Sequence, residues 1–146
     1  MTKIEQLSAV YREVQITASL LSQAMYEANG IPPAQLHILS HLVNTTNTAE
    51  SPSDLARVFR VSKPAMTQLI QRLRAKGWVS LDLVPGDDRR KQVTLTKSGR
   101  STHKKSQDQV KPHNERIANV MNRSELDQLF TQMHKLRIAA EEELSK

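Results

Sequence analysis

The 146-residue chain contains no cysteine. That absence removes a disulfide framework, a thiolate metal site and a cysteine redox sensor. Glycine occurs only 4 times, and no phosphate-binding glycine loop appears. GxSxG and HExxH are also missing, so the sequence offers no nucleophile–base set for a hydrolase. No apolar run approaches the length of a membrane span. The stretch MTKIEQLSAVYREV lacks the uninterrupted apolar segment of a signal peptide. These absences point to a cytoplasmic, non-enzymatic protein with no cofactor and no membrane partner. The length suits one domain with a sizeable core.

Positive charge is abundant and unevenly placed. The net charge is +6, yet residues 1–50 carry 2 Lys/Arg against 4 Asp/Glu. Residues 51–100 carry 11 against 4, an excess of 11 − 4 = +7, and residues 101–146 carry 8 against 7. A field concentrated in the middle third suits a polyanion, of which nucleic acid is the commonest. A merely soluble basic surface is the alternative reading.

The periodicity predicts a mainly α fold with a small β-hairpin. Residues 4–28 form one helix, with Ile4, Leu7, Tyr11, Val14, Ala18, Leu21 and Met25 recurring at steps of three and four. Asn29-Gly30 ends it and Pro32-Pro33 restarts the chain. A second helix spans 33–43, with Leu36, Leu39 and Leu42/Val43 turned inward, and 44–51 is a loop. Ser51 caps a short helix with Pro52 in its first turn and Leu55, Ala56 and Phe59 inside. After a turn at Arg60-Val61, Ser62 caps the helix of VSKPAMTQLIQRLRAKGW, which Gly77 ends. The period then changes to two. Trp78, Val79, Leu81 and Leu83 mark a strand, Pro85-Gly86-Asp87 a turn, and 92–95 the returning strand. A long helix starts at Thr96 or Ser98 and reaches toward 120, with Val110, Ile117, Val120 and Met121 buried and Pro112 bending or breaking it. Ser124 caps the last helix, with Leu126, Leu129, Phe130, Met133, Leu136 and Ala140 on its inner face. The organisation is a dimerisation helix at 1–32, a DNA-binding lobe at 33–100 and further dimerisation helices at 101–146. The terminal stripes outrun the local core, which favours a homodimer.

The helix after Ser62 presents polar groups on one side. Gln68 and Gln71 carry amides suited to adenine edges, Lys63 can donate to guanine or phosphate, and Thr67 offers a methyl and a hydroxyl. Pro64 and Ala65 are small enough for close approach, and Pro64 leaves no orphan amide in the first turn. Ser53, Arg57, Arg72, Arg74 and Lys76 lie at the margins, where phosphate contacts position without specifying. Alone, this reads first as an ordinary amphipathic surface helix. The hairpin behind it adds Arg89, Arg90 and Lys91, with Asp87 and Asp88 interrupting the charge. A narrow ribbon with arginines suits a minor groove while the helix occupies the major groove. Helix–turn–helix plus ribbon is a winged helix.

On these residues, SPSDLARVFRVSKPAMTQLIQRLRAKGWV followed by DDRRKQVTLTKSG resembles the MarR family of regulators. The shared pattern is Leu55-Ala56, Val61-Ser62, Arg72-Leu73, Lys76-Gly77, Asp87-x-Arg89 and Leu95-Thr96 with Gly99. The resemblance implies a six-helix homodimer with interlocking terminal helices. It implies recognition helices in successive major grooves of a palindromic operator, with Arg89 in the minor groove and Asp87 as its organiser. It also implies repression relieved by a small-molecule effector. Met25, Tyr26, His37, His41 and Trp78 are the candidates for that effector's pocket. Asp88, the Leu-Asp-Leu-Val run at 81–84 and Gln68 depart from the family by lacking basic residues it often has there. The runner-up function is a winged-helix protein-interaction module without specific DNA binding. His37 and His41 share a helix face, but no full metal-ligand set accompanies them.

Overall fold

The computed structural model describes residues 1–45 and 50–146. Two compact units result, Met1–Val110 and Lys111–Lys146. The described residues form six helices and one two-stranded sheet. Of the expected 44–51 loop, residues 46–49 lie outside the described residues.

The core of the first unit is built by short helices whose ends are fixed locally. Helix α1 is Lys3–Asn29, and α2, Pro33–Asn44, is the first helix to bury a face. Helix α3, Pro52–Val58, begins at a reciprocal box in which the Ser51 hydroxyl accepts the Asp54 amide and the Asp54 carboxylate accepts the Ser51 amide. Arg60 turns the chain with φ 52°, a left-handed conformation uncommon for a residue with a Cβ. Helix α4, Lys63–Ala75, starts at Ser62, whose hydroxyl accepts the Ala65 amide at 3.2 Å. Pro64 lies in its first turn, where its missing donor costs nothing. Ile38, Leu39 and Leu42 of α2, Leu55 and Ala56 of α3, and Met66, Ile70 and Leu73 of α4 make one apolar cluster. Phe59, Leu69 and Trp78 pack against it. Burying each large aliphatic side chain contributes about 1.5–3 kcal/mol, so this cluster is what fixes α4's orientation.

The wing consists of β1, Val79–Val84, paired antiparallel with β2, Asp87–Leu95. Val79 and Val93 anchor its base in the core. Pairing runs from Val79↔Leu95 to Val84↔Asp87, with an irregularity at Leu83/Val84. Gly86, at φ 82°, supplies the left-handed residue that the Pro85-Gly86 turn requires. The returning strand begins at Asp87, five residues before the expected start at 92. Charge hides it, because an exposed two-stranded ribbon needs no apolar alternation at its tip.

Helix α5, Lys97–Ala118, follows at once. Thr96 ties its start down: its hydroxyl donates to the Gly77 carbonyl at 2.6 Å and accepts the Gly99 amide at 3.0 Å. A Cβ at position 99 would stand 2.0 Å from the Trp78 carbonyl oxygen, so the close approach of α5 to the wing's base requires glycine there. Three expectations for this region are corrected. The helix continues through Pro112 instead of breaking. Val110 is buried as expected, but Ile117 and Val120 are exposed and Met121 only half-buried. The buried positions on α5 include the polar His103 and Ser106, whose partners come from distant helices.

Helix α6, Arg123–Leu144, is capped by Asn122, which forms a reciprocal box with Glu125. Ser124, the expected cap, lies inside the first turn. The Glu125 carboxylate accepts the Asn122 amide at 2.9 Å, which closes the box ahead of Ser124. Every residue of α6 is exposed or half-buried in the single chain, Leu126, Leu129, Phe130 and Leu136 among the exposed. The same holds for α1, where Ile4, Leu7, Tyr11 and Leu21 are exposed.

Candidate nucleic-acid interface

Helix α4 has two unlike faces. Met66, Ile70 and Leu73 are buried, while Lys63, Pro64, Thr67, Gln68 and Gln71 are exposed and Ala65 half-buried. The core therefore holds one side rigidly and offers the other, with the polar groups chosen from the sequence, to a partner. Beside the start of α4 opens a hollow of about 490 Å³, lined by Ser53, Ala56, Arg57, Arg60, Val61 and Lys63. Ser53 and Arg57, expected as backbone contacts, and Lys63, expected as a base reader, thus line one hollow. Arg60 joins them, a cation the sequence reading had placed only in a turn. Arg72 and Arg74 are exposed farther along α4. Lys76 is engaged within the lobe: its ammonium donates to Gln35 Oε1 at 2.6 Å and lies 4.6 Å from the Trp78 ring centroid.

In the wing, Asp87 Oδ1 accepts the backbone amide of Arg89 at 3.0 Å. Arg89 and Lys91 are exposed, as is Asp88. Arg90 instead reaches back to α3, where its Nη2 donates to Asp54 Oδ2 at 2.8 Å. Asp54 Oδ1 accepts from Arg57 Nη2 at 2.6 Å. Hydrogen bonds from the Ser51 amide and hydroxyl, followed by Arg90, lower the Asp54 pKa from 3.8 to about 2. The sequence reading missed Asp54, although the Ser-x-x-Asp spacing at 51–54 was a signal for it.

A buried polar group supports the wing from behind. Glu50 is 6% exposed. Its carboxylate accepts from His41 Nε2 at 2.7 and 2.9 Å, and the Thr45 hydroxyl lies 3.0 Å from Oε1. Its carbonyl accepts the Val93 amide of β2 at 2.8 Å. Of the candidate effector residues, His41 faces Glu50 and the edge of Phe59, with ring centroids 5.4 Å apart. Trp78 faces Lys76; Met25 is half-buried, and Tyr26 and His37 are exposed. A second polar seam joins Ser40 to His103 Nε2 at 3.0 Å and Asn29 to the Ser106 hydroxyl at 2.7 Å. Burial, then the Arg100 charge, lowers the His103 pKa, favouring the neutral ring. Among the described residues no three His, Asp or Glu side chains converge as a metal site, and no helix is long and apolar enough to cross a membrane.

Residues 29–90, the end of α1 through the wing tip, match the family model for MarR. Over that stretch the chain resembles the MarR family. The six helices and the two-stranded wing have the winged helix–turn–helix arrangement. Solved structures across nearly its whole length share the fold. A cysteine-to-serine mutant of MarR from E. coli complexed with operator DNA superposes with a TM-score of 0.79 at 21% identity, covering 93% of this chain and 99% of that one. A MarR/EmrR family transcriptional regulator from Acinetobacter sp. ADP1 gives 0.76 at 20%, covering 97% and 99%. An S. aureus MepR–DNA complex gives 0.74 at 18%, covering 96% and 98%. No curated protein matches the chain.

Proposed function

We propose that this protein is a MarR-family repressor that binds a palindromic operator as a homodimer. The observation that carries the reading is the outward face of α4: Lys63, Thr67, Gln68 and Gln71 exposed on a helix whose opposite face is locked in the core. That face enters the major groove and reads base edges, while Arg57, Arg60 and Lys63 around the hollow anchor the backbone. Ser53, Arg72 and Arg74 extend the anchoring, and Arg89 enters the adjacent minor groove. Two of the structural relatives are described as DNA complexes, which supports this use of the fold. The exposed apolar stripes at 4–28 and 113–144 supply the dimer contact, which also sets two recognition helices one DNA turn apart. The protein acts in the cytoplasm, beside its DNA.

A small-molecule effector releases the operator by acting around Met25, Tyr26, His37, His41 and Trp78. His41 supports this reading, because it is bonded to Glu50, whose carbonyl holds β2 at Val93. A ligand that draws His41 away disturbs Glu50, on whose carbonyl the wing rests.

Selection from a random duplex library tests the function. The expected product is a site with two-fold symmetry and half-sites about 10 base pairs apart. Enrichment of no sequence, with the protein folded, refutes it.

A further inference from the structure

The two neighbouring arginines of the wing have different surroundings. Both lie where the pairing skips from Leu83↔Lys91 to Val84↔Asp87. Arg90 turns to α3 and meets Asp54 at 2.8 Å. Asp54 is itself fixed. Its Oδ2 also accepts the Ser51 amide at 2.9 Å, and its Oδ1 holds Arg57, one of the cations around the hollow. We propose that Asp54 is a positioning residue for DNA binding: it tethers the wing, through Arg90, to the helix that carries the phosphate anchors. Arg90 is then part of the frame, and Arg89 is the wing's DNA-facing arginine. This rests on the DNA-binding reading above.

The geometry explains why one tether is needed. The wing's base is pinned where the Val93 amide meets the Glu50 carbonyl. A ribbon held only at its base, where Val79 and Val93 enter the core, can still flex toward its tip. Arg90 and Asp54 add a second point, three residues out along β2 and four residues on from Glu50. Two attachments fix the direction in which the tip, with Asp87 and Arg89, leaves the lobe. The Asp54 carboxylate remains ionised far below neutral pH, so the tether is charged whenever the protein is folded at working pH.

The test sets charge against position. Asp54→Asn keeps an oxygen for the Ser51 amide, so α3 stays capped, but removes the ion pair. It also removes a negative charge from the surface that faces DNA. If Asp54 acted only through its charge, the variant would bind all DNA more tightly. The tether predicts the opposite on the selected duplex: about tenfold weaker binding, with scrambled-duplex affinity unchanged or higher. Arg90→Ala should weaken the selected duplex similarly, and adding it to Asp54→Asn should cost less than about twofold more, since paired residues are not additive. Hydrogen exchange of the 87–92 amides in the free protein should quicken in Asp54→Asn. Tighter binding of both duplexes, additive losses, or unchanged exchange would each overturn the proposal. Failure of the wild type to prefer any duplex would instead refute the DNA reading, and the exchange experiment still decides the tether.

Discussion

His41 and Glu50, nine residues apart, close a polar contact under the wing: Nε2 lies 2.7 Å from Oε1, with the carboxylate almost fully buried. The Thr45 hydroxyl, 2.7 Å from the His41 carbonyl, completes the group. Glu50→Ala leaves the imidazole without its acceptor, while the hydroxyl keeps the His41 carbonyl. Such a change costs about 1–3 kcal/mol, and urea denaturation should show it as a lower midpoint. Glu50→Gln, which keeps one acceptor oxygen, should cost less.

His103 predicts a pH dependence of stability. Its folded pKa lies below the ordinary 6.5, owing to burial and to Arg100. The folded chain thus binds fewer protons there than the unfolded chain does. Its contribution is full above pH 6.5 and is lost as pH falls through the lowered folded value. His103→Gln, which can still bond Ser40, should flatten the fall in urea midpoint between pH 6.5 and 5. Asp54 acts in a separate window. Its contribution is full above pH 3.8 and is lost as pH falls through about 2.

The exposed faces of α1 and α6 predict assembly. Sedimentation equilibrium at micromolar concentration should give twice the 16.5 kDa chain mass. Leu129→Asp or Leu136→Asp places a charge in the paired face and should yield monomer or unfolded chain. A wild-type protein that sediments as a monomer with full helicity contradicts this.

The helix–turn–helix was legible because its determinants are local. Ser51-Pro52 and Ser62-x-Pro64 mark two helix starts, and Met66, Leu69, Ile70 and Leu73 keep the helical period after the second. What could not be read depends on residues distant in sequence. His103 and Ser106 look like surface positions until Ser40 and Asn29 arrive opposite them. The Asp87–Arg90 run reads as a charged turn, because only Asp87 pairs with β1 and Arg90 is held by Asp54 from a distant helix. At α6 two overlapping cap patterns competed, Asn122-x-x-Glu125 and Ser124-x-x-Asp127, and local pattern did not rank them. Asp54 shows that an aspartate can complete such a box. Ile117 and Val120 are apolar without being buried in the single chain.

The wing prediction concerns Arg89, whose side chain is exposed. Arg89→Ala should leave the melting temperature unchanged and weaken operator binding, most on A·T-rich flanks. With two wings per dimer, the slope of log affinity against log salt should flatten by up to about 2 units, near 0.9 per phosphate neutralised. Asp87→Ala should act in the same direction more mildly, since it removes only the acceptor for the Arg89 amide. Asp88→Arg should tighten binding to every sequence.

That α4 reads bases is tested most directly by the specificity ratio of Gln68→Ala and Gln71→Ala. Fluorescence anisotropy on the selected duplex and on its scrambled counterpart, at one salt concentration, gives that ratio. Removing a bidentate amide–base pair should reduce it by about 1–3 kcal/mol, leaving affinity for the scrambled duplex nearly unchanged. An equal weakening on both duplexes would mean that Gln68 and Gln71 position the helix without reading sequence, contrary to this account.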